Sequence, residues 1–216
     1  MRHDFYAVIH KALRRELALL VAEAGTARTP SDWRAIAGRL RSVELVLDEH
    51  AGHEARFLHP RLCEIDAKLV ERIDRDHVLL EGSFDAALRA VDGAASSGDA
   101  DDRRRAYREL ASFVVRYSQH MLVEELEAMP AFWSAATDAE LLEIHARLVA
   151  SIPPDTMGSF LSLMLPAIDL DEQLELLGGV RATAPAPVFA GVMELARQIL
   201  SPPKYDALDA ALGGAS

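Results

Sequence analysis

The sequence predicts an all-α chain, an antiparallel (up-down) four-helix bundle followed by several short C-terminal helices. Two observations carry this. Apolar residues recur at spacings of three and four over four long segments, and runs that alternate with period two are almost absent. The connections between the long segments are short, which makes neighbouring helices antiparallel.

The first segment spans about 4–24 and ends near Gly25. Thr29-Pro30-Ser31-Asp32 then supplies a capping signal, so a second helix is expected over about 31–58. His59-Pro60 should stop it, because proline disfavours helix in the residue before it. A third segment runs from about 61 to 92, up to the small-residue stretch Gly93–Gly98. The fourth starts after Asp101-Asp102, acids suited to a helix N-terminus, and ends at Met129-Pro130. Beyond Pro130 the texture changes. Segments near 138–151, 155–165, 169–178 and 185–200 are shorter and punctuated by Pro153-Pro154, Gly178-Gly179, Pro185, Pro187 and Pro202-Pro203. The sequence therefore divides into a bundle, 1–130, and a C-terminal helical extension, 131–216.

Composition narrows the function. At 216 residues and 50% hydrophobic, the chain is long enough to bury a core and too apolar to be disordered. Its formal net charge of −11 argues against nonspecific nucleic-acid binding, which needs a basic surface to neutralise phosphates. The longest apolar stretch, Phe160 to Ile168, is broken by Ser162 and Pro166 and is too short to cross a bilayer. Met1-Arg2-His3-Asp4 has no apolar signal core behind it, and the lone Cys63 fits a reducing compartment. A soluble cytoplasmic protein is expected.

The chemistry lies in the histidines. On the second segment the inward series reads Ile36, Leu40, Val43, Leu47, His50, Glu54, so a stripe that should be apolar ends in imidazole and carboxylate. The fourth repeats this with Leu110, Phe113, Tyr117, His120, Glu124. The third reads Val70, Ile73, His77, Leu80, Glu81, Phe84, and the first reads Tyr6, His10, Leu13, Leu17, Leu20. Residues four apart on a helix differ by about 40° in direction, so both members of each pair, His50/Glu54, His77/Glu81 and His120/Glu124, face one space. A lone histidine on an apolar stripe is ordinarily a hydrogen-bonded core residue, and a lone His-x-x-x-Glu pair is ordinarily solvated. Four helices agreeing is a different matter. Buried carboxylates that repel one another call for cations, and imidazole with carboxylate suits iron or manganese, with zinc also able to take such ligands. The candidate metal ligands are thus His10, His50, Glu54, His77, Glu81, His120 and Glu124. His53 and His59 lie off the stripe or at a helix end, His145 lies outside the bundle, and His3 is near the terminus. All four are expected at the surface or behind the ligands. Tyr6 and Tyr117, on the stripe, are expected as core residues with satisfied hydroxyls, or as hydrogen-bond donors beside the site.

Across these residues the sequence resembles the hemerythrin-like family, the HHE cation-binding domains. The matching stretches are "VIHKALRREL", "DEHAGHEARFLHP", "DRDHVLLE" and "SQHMLVEELEAMP", together covering residues 1–130. Ferritin-like carboxylate proteins use Glu-x-x-His instead, with the opposite order and a spacing of three. The resemblance implies a non-haem di-iron centre in which His10 and His50 bind one iron, His77 and His120 the other, and Glu54 and Glu124 bridge them. Oxygen carriers of the family have five histidines, two of them four apart on the third helix. Here Glu81 follows His77 at that spacing, and it is the expected stand-in for the missing imidazole. An anionic ligand there favours the ferric state and speaks against reversible oxygen carriage. The expected small-molecule partners are oxygen, nitric oxide or peroxide, bound, sensed or reduced. Residues 131–216 carry no comparable chemistry. Their apolar faces (Phe160, Leu161, Leu163, Met164, Leu165, Val188, Phe189, Val192, Met193 and Leu200) point to packing, to a protein partner or to self-association.

Overall fold

A computed structural model describes residues 2–213, and among these every regular element is a helix. The order is α1 (Ala7–Thr26), α2 (Pro30–His53), a π turn (Glu54–Leu58), α3 (His59–Ser97), α4 (Ala100–Val123), a second π turn (Glu124–Ala128), α5 (Met129–Ala135), α6 (Asp138–Ser151), α7 (Pro154–Met164), α8 (Leu170–Thr183), α9 (Ala186–Ile199) and α10 (Pro202–Ala211).

Local chemistry explains most boundaries. Asp4 Oδ1 accepts from the backbone N–H groups of Tyr6 and Ala7 at 2.9 Å, which starts α1 slightly later than the periodicity suggests. Thr29 and Asp32 form a capping box at α2, and Asp99 caps α4 through the Asp101 amide. Gly98, at φ +65°, ends α3 in the left-handed region, where glycine carries no Cβ penalty.

The prolines behave differently from expectation. Pro60 and Pro130 do not terminate helices; the chain stays helical through both. Just before each, the backbone widens into a π turn, with His59 N–H bonding Glu54 O and Met129 N–H bonding Glu124 O. The shift from i−4 to i−5 pairing frees the next residue from donating a bond, and a proline ring fits where it would otherwise clash. The reversal toward the third long helix comes six residues after Pro60, at Asp66, whose φ of −149° and ψ of 89° break α3. Its carboxylate then caps the Lys68 and Leu69 amides. Gly178-Gly179 likewise fails to end a helix, and α8 runs on to Thr183 before Pro185.

By contacts the chain forms two compact units, one of Met1–Ala7 with Glu16–Ser151 and the other of Val8–Arg15 with Ile152–Ser216. By contacts α5 and α6 fall in the first unit. In the first unit α3 packs along both α2 and α4. Arg39 of α2 pairs with Glu16 and Glu23 of α1. One end of this core gathers Tyr6, Leu58, Leu62, Ile73, Met129 and Phe132, so both π turns are followed by residues that bury apolar surface. The second unit has its own core of Leu161, Leu165, Leu177, Met193, Ala196, Leu200 and Leu208. Much of the apolar face expected to need covering is therefore buried within that unit, although Val188 remains exposed. Among the described residues no helix is long and apolar enough to cross a membrane.

Candidate metal centre

Six of the seven expected ligands converge. His10, His50, Glu54 and Glu124 offer ligand atoms that all lie within 4.8 Å of one another, and so do Glu54, His77, His120 and Glu124. Each group has two imidazoles, and the two carboxylates are common to both. Glu54 divides its oxygens, with Oε1 at 3.3 Å from His50 Nε2 and Oε2 at 3.3 Å from His77 Nε2. Glu124 Oε1 lies 3.0 Å from His120 Nε2 and 3.8 Å from His77 Nε2.

These groups are deeply placed. Glu124 and His10 are fully buried and Glu54 is 1% exposed, while the His77 side chain keeps 19% of its surface. Neither oxygen of Glu54 takes part in a hydrogen bond of good geometry. Two carboxylates buried this way are costly without compensating cations. Opposed ligands of one ion stand about 4 Å apart when each bond is about 2.1 Å, and the two groups are compact enough to close on ions of that size. The donor set therefore fits metal cations.

The electrostatics agree. Burial works against a charged His77, yet contact with Glu54 and the fields of Glu124 and Asp74 raise its pKa. Tyr6 and Tyr117 are both buried, and burial, then the neighbouring Glu54 and Glu124, push their hydroxyls well above the ordinary range. Both therefore stand as protonated phenols beside the carboxylates. The Tyr117 ring lies 5.8 Å from that of His120, which is packed edge-on against His77 at 4.5 Å.

Glu81 is the exception. It is exposed and belongs to neither ligand group. The inward stripe of α3 steps from Ile73 to His77 and then by three to the buried Leu80, and on by four to Phe84. That step leaves Glu81 on the solvent side, so it does not replace an imidazole, and the argument for a ferric bias falls with it.

Two histidines expected at the surface or behind the ligands prove buried. His53 packs beside Glu49 and Phe57, and burial lowers its pKa. His59 is 6% exposed, holds Asp74 Oδ1 at 3.0 Å through Nδ1, and stacks on His77 with centroids 6.0 Å apart and planes 12° apart. Its sequence position gave no hint of this, since only the reversal at Asp66 brings α3 back past its own start. The one available signal was Asp66 itself, a good N-cap residue ahead of the apolar Leu69-Val70. His3 and His145 pair away from the ligands, with ring centroids 4.3 Å apart.

The family model described as the hemerythrin HHE cation binding domain matches residues 3–132. No curated protein and no solved structure matches the chain.

Proposed function

Since this chain belongs to the hemerythrin HHE cation-binding family, we propose that it is a non-haem di-iron protein that binds or responds to oxygen or a related small molecule in a cytoplasmic setting. The observation that carries the reading is Glu54, buried, with one oxygen toward His50 and the other toward His77. A carboxylate so divided is suited to bridging two cations. In this reading His10 and His50 would hold one iron, His77 and His120 would hold the other, and Glu54 and Glu124 would serve both.

When bound, the iron pair would supply redox chemistry and Lewis acidity toward a small ligand. The chain's own residues do the rest. His50, His77 and His120 sit on long helices and Glu54 and Glu124 at the π turns that follow, so backbone structure limits the freedom these donors would lose on binding. Tyr6 and Tyr117 keep their hydroxyl protons and stand as polar donors beside the carboxylates. His77, the most exposed of the four histidines, marks the side on which a small molecule reaches the centre.

The test is anaerobic reconstitution with ferrous iron, elemental analysis, and then absorption spectra after adding oxygen, nitric oxide or peroxide separately. Two irons per chain with a ligand-specific spectrum are expected. Catalytic turnover of peroxide or nitric oxide would make the protein a redox enzyme built on the same centre. Less than one iron per chain overturns the reading.

A further inference from the structure

His59 has the features of a group held for a partner that no side chain provides. It is buried to 6% exposure, yet its Nε2 makes no hydrogen bond. Such an atom is expensive to bury, because the lost hydration is not replaced. The other ring nitrogen is committed. Asp74 Oδ1 lies 3.0 Å from Nδ1, and a carboxylate oxygen only accepts, so Nδ1 carries the hydrogen in that contact. In the neutral ring this leaves a bare lone pair at Nε2.

Position supplies the second observation. The ring lies parallel to His77 with centroids 6.0 Å apart, and His77 Nε2 faces Glu54 and Glu124. His77 is also the least buried of the converging histidines. His59 belongs to neither compact ligand group, so it stands beside the donors rather than among them. Asp74 is on α3 one turn before His77, which ties the orientation of His59 to the helix that carries that donor.

We infer that His59 is a positioning residue for the exogenous ligand at the His77–His120 end of the centre, and that its Nε2 accepts a hydrogen bond from a small ligand carrying its own proton. Water, hydroxide and hydrogen peroxide have the required donor; azide does not present one in its anionic form. The inference rests on the proposed iron centre.

The probe is azide, titrated against the oxidised, iron-loaded full-length protein by the absorption it induces, with iron content measured on each sample. Azide must displace the protic ligand that His59 holds. His59→Phe is expected to keep two irons and bind azide about tenfold more tightly, the equivalent of one net hydrogen bond lost by the displaced ligand. His59→Gln, which restores an acceptor oxygen, should return the dissociation constant toward that of the wild type. A purely structural role would not produce tighter binding or its reversal by glutamine. Equal azide affinity in all three proteins overturns the inference, and so does loss of iron from both variants, which would make His59 a holder of the metal. A wild type that takes up no iron overturns the proposed centre itself, and this inference with it.

Discussion

Glu54 and Glu124 occupy the same place in two separate helices: each is the first residue of a π turn, and each follows an inward histidine by four residues. Each π turn is followed by a residue whose amide reaches back to the glutamate carbonyl, and then by a proline. One widened turn thus does two things. It carries the helix past a proline, and it lies where the carboxylate must sit against a histidine of another helix. Insertions of this kind concentrate at functional sites.

Glu54→Ala and Glu124→Ala should each lower iron below two per chain or abolish the magnetic coupling between the irons. Both carboxylates belong to both ligand groups, so neither loss is confined to one side. His145→Ala should keep both irons, because His145 pairs with His3 away from the centre. His53→Ala should also keep them, with a stability cost on the order of 1 kcal/mol or more for emptying a buried position. Elemental analysis with Mössbauer spectra decides. Equal iron loss in all four variants would show that the ligand face is wrongly assigned.

Glu81→Ala should change neither iron content nor the rate of autoxidation in air. Its carboxylate is exposed, and the buried stripe passes through Leu80 instead. A variant that oxidises measurably more slowly than the wild type would return Glu81 to the centre.

The contrast between Glu81 and His59 shows where sequence reading reaches its limit. Helical periodicity puts His10, His50, Glu54, His77, His120 and Glu124 on inward faces, where the structure brings them together, since a stripe of fixed spacing is a local property. The same rule admitted Glu81, because spacings of three and four both keep a residue near the stripe and only packing chooses between them. His59 was invisible for a different reason. Its burial depends on Asp66 reversing the chain so that Asp74 and His77 return beside it, a relation made by tertiary structure. The prolines misled in the same way. A proline reads as a stop until a π turn supplies the room it needs.

Acid should weaken the metal-free protein through His145. Burial, and then the facing His3, pull its pKa down from 6.5 to about 4. The unfolded chain binds this proton near the ordinary value and the folded chain does not, so stability falls as pH drops from about 6.5 toward 4. The group is only partly buried, and about 1 kcal/mol is a suitable discounted expectation. Urea denaturation of chelator-stripped wild type and His145→Gln at pH 7 and pH 5 measures it. The wild type should lose more stability than the variant over that interval, and parallel losses would remove His145 as the cause.

Metal should stabilise the fold, and the buried carboxylates say why. In the metal-free chain Glu54 and Glu124 lie almost wholly out of water, within 4.8 Å of each other and of the imidazoles. Each carboxylate is better hydrated in the unfolded state, so folding without cations works against their desolvation and mutual repulsion. A cation bound only by the folded chain removes that cost and adds its own binding free energy, about 2.7 kcal/mol when free metal is a hundred times its dissociation constant. Adding ferrous iron anaerobically should therefore raise the melting temperature, and a chelator should reverse the rise. Glu54→Gln and Glu124→Gln sharpen the test by removing charge while nearly preserving shape. Each should make the metal-free protein more stable than metal-free wild type, and each should shrink the increase that iron produces. If both variants melt below the wild type without metal and gain as much from iron, the carboxylates are not the repelling element and the stabilisation has another source.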